Sequence, residues 1–291
     1  MGGKSSERAV SLVSGRNVAE ALASLGKYDV VSVDVTDDSL EALPDGTDAV
    51  YVALHGGWGE NGGVQAALNA RRIPYTGPGA RASQIAMDKA ETKRVLERAG
   101  VPTAPWALVE ATAAEPPLPL PVVVKPPCDG SSVGISKVST SAEWPHALST
   151  AAQALPSCGL ILVEAYVPGR EFTVAVVDGE AWPVIEIAAK GGWYGYEEKY
   201  RSDETRYDFL EDPALSARLQ RTAVAAYRAV GCRSVTRVDF RVNDAGDAFV
   251  LELNASPGFT SHSLVPKAGM RTGLTFAEVC DSILAHADYD R

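Results

Sequence analysis

The chain has 291 residues, and what it lacks closes off several classes of function. Its four cysteines, Cys128, Cys158, Cys232 and Cys280, are scattered, with no C-x-x-C pair and no histidine cluster beside them. That spacing argues against a zinc site and reads as free thiols in a reducing cytosol. Apolar stretches such as Gly159–Val163 are far shorter than the ~20 residues that cross a bilayer. No charged segment followed by an apolar core opens the chain, so no export leader is expected and the protein is read as cytoplasmic. Basic residues are in deficit, 27 Lys and Arg against 37 Asp and Glu, for a net charge of −10. Such a surface disfavours nucleic acid and anionic membrane as main partners, though a few local donors could still hold an anionic ligand.

With 46% apolar and 22% charged residues, the composition is that of a soluble globular protein of one to three domains. Apolar residues at three-to-four spacing predict a helix from Val10 to Leu25, stopped by Gly26. Valine-rich segments at 29–35 and 49–54 read as strands, 64–71 as a helix and 73–75 as the entry to a further strand. Alternation of this kind predicts a parallel α/β sheet over the first ~80 residues. Helix 88–99, strand 122–125, helix 141–154 and strand 160–165 follow. Asp178-Gly179 marks a hairpin between segments 172–177 and 181–187. Residues 190–212, polar and aromatic, read as a long lid loop. Helix 215–230 then precedes a hairpin of strands 235–242 and 248–254.

Gly57-Trp58-Gly59-Glu60-Asn61-Gly62 fits the G-x-G-x-x-G pattern of a dinucleotide fold. That fingerprint also needs an acid about 20 positions on, at the end of the next strand, and Ile73-Pro74-Tyr75-Thr76 has none. What remains is a glycine loop opening a helix, which suits a carboxylate or phosphate.

Three constellations carry chemistry. Lys125 closes a strand and is followed by Asp129-Gly130-Ser131-Ser132-Val133-Gly134, small residues whose backbone donors can wrap phosphate oxygens. Asp239 lies on one strand of the final hairpin, and Glu252 and Asn254 lie two apart on its partner, hence on one face. Two carboxylates and an amide oxygen on an otherwise apolar hairpin are hard ligands suited to Mg²⁺. Directly afterwards, Ala255–Leu264 supplies glycine and hydroxyls placed to hold a substrate carboxylate and an oxyanion.

Taken in order, these segments resemble the D-alanine–D-alanine ligase family of ATP-grasp enzymes along nearly the whole chain. The strings that carry the resemblance are Gly2–Arg8, Ala53–Glu60, Met87-Asp88-Lys89, Val124-Lys125-Pro126 with Gly130–Gly134, Gly169–Val174, Glu198-Lys199-Tyr200, and Arg237-Val238-Asp239 through Ser256-Pro257-Gly258 to Pro266. The family fold is α/β (α+β), with domains expected at 1–80, 81–165 and 166–291 and ATP between the second and third. The resemblance implies ATP as co-substrate, Mg²⁺ (or Mn²⁺) as cofactor, two D-alanines as substrates and a homodimer. Lys89, Lys125 and the Ser132 loop would meet phosphates. Glu164, Tyr166 and Val167 would line the adenine, with Glu171 on the ribose and Trp193 near the base. Asp239, Glu252 and Asn254 would hold the metal. Arg237 and the Gly258 N–H would stabilise the oxyanion, and Lys199 the phosphoryl group in transfer. Glu7 would hold the first ammonium and link through Ser131 to Tyr200. Ser263 and Leu264 would bind the second carboxylate. His55 is a candidate substrate contact, with a backbone-bonded loop histidine as the alternative.

Some positions depart from the family pattern. Asp129 stands where glutamate is usual, Asn61 where aspartate is usual, and the first strand expected before Gly2-Gly3 is missing. Ligases that make D-alanyl-D-lactate or D-alanyl-D-serine are rivals, the former disfavoured by Tyr200. A nucleotide binder that has lost catalysis is a third.

Overall fold

In the computed structural model, residues 1–128, 134–154, 159–188 and 205–291 are described. Helix α1 (Arg8–Ser24) buries Ser11, Ser14, Val18 and Leu22, the expected stripe at three- and four-residue spacing. The strands expected at 29–35, 49–54 and 73–76 shrink to single parallel bridges, Gly2 with Val35 and Val50 with Tyr75. The direction is the one expected; the length is not. Met1–Gly3 occupy the position beside Val33–Val35, with Val35 N–H donating to Met1 O at 2.9 Å and Gly3 N–H to Val35 O at 2.7 Å. The ladder goes no further, and Val31 stays exposed. Helix α2 (Gly63–Arg71) closes this layer by packing Val64 and Leu68 on Leu54 and Tyr75.

Two antiparallel sheets follow. The first runs β1 (Trp106–Glu110), β4 (Leu160–Ala165), β2 (Val122–Lys125), β3 (Ser136–Val138). Helix α5 (Trp144–Gln153) covers one face with Trp144, Ala147, Leu148 and Ala151. The second sheet runs β10 (Ala248–Asn254), β9 (Val235–Val242), β5 (Arg170–Val177), β7 (Ile185–Ala188), β8 (Arg206–Phe209), with β6 (Glu180–Ala181) beside β5. Strand β8 corrects the reading of 190–212 as loop throughout: Arg206–Phe209 pair with β7. The hairpin expected at Asp178-Gly179 is present, both residues having positive φ, as a tight two-residue turn requires.

Strand β5 is buried from Phe172 to Val177 because both faces of its sheet are covered. On one side lies helix α6 (Pro213–Val230), started by Asp212, whose carboxylate accepts from the N–H groups of Ala214 and Leu215. Helices α3 (Ala80–Met87) and α4 (Lys89–Arg98) share that core, so the first helices after residue 80 serve the second sheet. On the other side lie α1, α7 (Leu264–Arg271) and α8 (Phe276–Leu284).

In the β9–β10 pair a bulge falls between Val250 and Glu252. It leaves Val250 opposite Phe240, and brings Glu252 opposite Asp239 and Asn254 opposite Arg237. Gly169 precedes β5 where the chain passes Val242, and an added Cβ would lie 2.1 Å from the Val242 carbonyl oxygen. No helix among the described residues is long and apolar enough to cross a membrane. Cys128, Cys232 and Cys280 are free thiols as expected, and burial pushes Cys232 and Cys280 up to about 12.

Candidate active site

The residues expected as metal ligands come together on β9 and β10. Arg237 donates through Nε to Asp239 Oδ1 at 2.9 Å and through Nη2 to Oδ2 at 2.7 Å. Thr173 Oγ1, from β5, donates to Oδ1 at 2.6 Å, and Asn254 Nδ2 to Oδ2 at 3.0 Å. The buried carboxylate of Asp239 is thus satisfied within the protein, as burial demands. Glu252 meets Lys89 Nζ at 3.2 Å. Among the described residues no trio of His, Cys, Asp or Glu gathers as a metal-binding group. The set here has two carboxylates and one amide, hard oxygen donors side by side on one sheet face, and that chemistry suits a divalent cation holding phosphates.

Lys89 opens α4, where Asp88 accepts from the N–H groups of Ala90 and Glu91. Lys125 and Glu164 are near neighbours across β2 and β4, with Lys125 Nζ 2.8 Å from Glu164 Oε2. A third member, Lys93, was not expected. It is fully buried one turn beyond Lys89, with Nζ 3.0 Å from Glu164 Oε1. Burial alone would raise the Glu164 carboxyl, but the charges of Lys125 and Lys93 outweigh it and hold it below the usual carboxylate range. Burial lowers the Lys93 ammonium, with Glu164 opposing.

The residues expected along the nucleotide converge on another unexpected side chain, Arg241. It donates through Nε to Val167 O at 3.1 Å, lies 3.4 Å from Glu171, and reaches the Tyr166 hydroxyl at 3.4 Å. Lys137 Nζ sits 3.8 Å from the centre of the Tyr166 ring. Both missed residues left a signal. Arg241 is two places from Asp239 on a strand and shares its face. Lys93 falls on the buried stripe of α4 with Lys89, Thr92 and Leu96.

The N-terminal layer closes the site. His55 is buried, with Nδ1 3.0 Å from Ser256 O and Nε2 3.1 Å from Ser14 Oγ, which in turn accepts the Phe259 N–H at 3.0 Å. Burial lowers its pKa, so Nδ1 carries the proton and Ser14 donates to Nε2. His55 therefore braces the glycine loop against the Ser256–Phe259 turn, matching the backbone-bonded alternative. Glu7, at the start of α1, borders that loop: a Cβ on Gly56 would lie 2.8 Å from its Oε2. Gly258 is close to Ser263, whose Oγ accepts the Thr260 N–H at 2.8 Å. Ser263 and Leu264 form the start of α7. Ser131, Ser132, Trp193, Lys199 and Tyr200 lie outside the described residues.

Glu60 was also missed as a site residue. Its Oε1 is 3.9 Å from His55 Nδ1, and burial, then the charge of Glu7, push its carboxyl up to about 8, against the pull of Lys89 and Arg237. A raised value means that folding favours the protonated form. The contribution is complete below about 4.5 and is lost as pH climbs through about 8. Glu60→Gln is expected to flatten that slope. The loss of melting temperature between pH 6 and pH 9 should shrink by about 5–10 °C relative to the parent; identical slopes in thermal denaturation would count against a protonated Glu60.

Comparison with known proteins agrees with this geometry. A family model described as D-ala D-ala ligase C-terminus matches residues 95–285. A D-alanine–D-alanine ligase of Bordetella petrii is 43% identical over 98% of this chain and 90% of its own length. One from Acidiphilium cryptum is 43% identical over 99% and 96%. The solved structure of D-alanine–D-alanine ligase from Bacillus anthracis complexed with ATP superposes with a TM-score of 0.86 at 30% identity, covering 98% of this chain and 94% of that one. Likeness on this scale takes in both sheets and the N-terminal layer together, and by it the chain belongs to the D-alanine–D-alanine ligase family.

Proposed function

We infer that this chain joins two D-alanines, spending ATP and releasing ADP and phosphate, to make the dipeptide of peptidoglycan precursors. One observation carries the reading: Lys89, which opens α4 and whose backbone N–H donates to Pro127 O just past β2 of the first sheet, meets Glu252 on the candidate metal face of the second at 3.2 Å. A phosphate-binding cation and a metal-binding carboxylate thereby face each other across the cleft where a nucleotide's phosphates belong.

In this reading the carboxylate of the first D-alanine attacks the γ-phosphate, giving an acyl phosphate and ADP. The amine of the second then attacks that carbonyl, and phosphate leaves. Lys89, Lys125 and the Ser132 loop grip the phosphates, and Lys199 offsets charge on the group in transfer. Tyr166, Val167 and Glu171, gathered by Arg241, border the adenosine with Glu164 and Trp193. Glu7 holds the first ammonium, and Ser131 and Tyr200 are assigned to the same catalytic set. The start of α7, at Ser263 and Leu264, offers backbone donors and a positive dipole end to the second carboxylate. Arg237 and the Gly258 N–H stabilise the tetrahedral oxyanion. Asp239, Glu252 and Asn254 would hold Mg²⁺ (or Mn²⁺), which when bound neutralises phosphate charge. A cytoplasmic homodimer belongs to the same proposal.

Phosphate release with D-alanine, D-lactate, D-serine or L-alanine as sole acceptor tests it. Release with D-alanine, and a product with the mass of the dipeptide, is expected. ATP binding with turnover on none of the four would overturn the ligase reading, and a preference for D-lactate or D-serine would reassign the second substrate.

A further inference from the structure

The mechanism above gives Lys93 no task, yet it is a fully buried ammonium at the junction of both sheets. It donates to Thr103 Oγ1 at 2.6 Å and to Ala104 O at 3.3 Å, and it forms an ion pair with Glu164 Oε1 at 3.0 Å. Thr103 passes its own hydrogen to Val250 O at 2.9 Å, on the strand that carries Glu252 and Asn254. Two hydrogen bonds, to Thr103 and Ala104, and the ion pair with Glu164, whose Oε1 accepts no hydrogen bond among the described residues, hold Lys93 in place.

We propose that Lys93 is a positioning residue for ATP: it keeps Glu164 neutralised so that Lys125 can give its charge to the phosphates. The inference rests on the reading of Lys125 as a phosphate ligand. A buried carboxylate with one cation holds that cation hard, because separating the two leaves an unpaired charge in a poorly polarisable interior. Lys125 is 2.8 Å from Glu164 Oε2, so the phosphates must compete with Glu164 for it. Lys93 on the other oxygen changes the balance: Glu164 stays paired when Lys125 turns to ATP. The two lysines divide the work, one fixed under the site and one available to it.

The test measures ATP affinity by titration calorimetry with Mg²⁺ present on the full chain, so it does not depend on turnover. Lys93→Met is expected to weaken ATP binding about tenfold while the KM for D-alanine stays within about threefold. Because removing a buried cation can unfold a protein, the decisive comparison is Glu164→Gln against Lys93→Met with Glu164→Gln. Neither leaves an anion for Lys93 to hold, so their ATP affinities should agree within about threefold. A further loss in the double variant would overturn the proposal, as would a Lys93→Met defect shared equally by ATP and D-alanine. Lys125→Met isolates the underlying reading: unchanged ATP affinity there would remove Lys125 from the phosphates, whatever Lys93 does. Absence of D-alanine turnover in the parent would sink the ligase reading and leave the calorimetric result standing.

Discussion

Replacing Arg237 with methionine is expected to lower turnover by about 10²–10³-fold, the usual cost of losing one preorganised donor to an oxyanion. It should also lower the melting temperature, for a separable reason. Arg237 forks onto both oxygens of Asp239, a carboxylate almost closed to solvent. Without the guanidinium, only Thr173 and Asn254 among the described residues remain to satisfy that charge, at a cost of about 1–3 kcal/mol. In a chain of this size each kcal/mol is worth roughly 2–4 °C. Adding Asp239→Asn to Arg237→Met removes the uncompensated anion and should recover most of the melting temperature, but none of the turnover. Melting curves and single-turnover rates on the two variants separate the effects. Turnover within about threefold of the parent in Arg237→Met would remove this residue from the oxyanion.

The second large effect is expected at Glu252. Glu252→Gln keeps the shape and hydrogen-bonding reach of the side chain but removes one of two carboxylate charges from the candidate metal face. Turnover should fall by about 10³-fold, equivalent to about 4 kcal/mol of barrier. The Mg²⁺ or Mn²⁺ concentration needed for half-maximal rate should rise as well. Lys89 loses its ionic partner in the same variant, so a change in ATP affinity is expected alongside. Titrating metal at saturating ATP separates the two. An unchanged metal requirement would mean that Glu252 holds no ion and serves only Lys89.

Much of the site was legible because strands have a period of two. Asp239 on β9, with Glu252 and Asn254 on β10, stood out as polar residues on an apolar hairpin, and the register does bring them together. Strands β2, β4, β9 and β10 fall where valine-rich runs and flanking turns put them. Strand β1 escaped notice because Trp106–Val109 are all half-buried and show no alternation. Strand β8, Arg-Tyr-Asp-Phe, lies in a polar stretch and gains its order from pairing with β7 and from packing Tyr207 and Phe209 on the core. The N-terminal strands were over-read, since valine content says nothing about how long a partner is on offer. Lys93, Arg241 and Glu60 were passed over because their significance is tertiary. Each is an ordinary charged residue until folding buries it beside a partner distant in sequence.

The bulge after Val250 has a further consequence. Val250 faces the core with Phe240, and Leu253 and Ala255 do so too, three and five places on. A regular strand keeping Val250 inside would also bury Glu252 and turn Leu253 outward. By taking one extra residue, β10 changes phase midway: its first half answers to the hydrophobic interior, and its second half delivers a carboxylate and an amide to the cleft without surrendering Leu253. Leu251, which absorbs the shift, matters by being counted more than by what it touches. Substitutions there should be absorbed far more easily than an insertion of one residue beside it, which would send the side chains of Glu252 and Asn254 into the core.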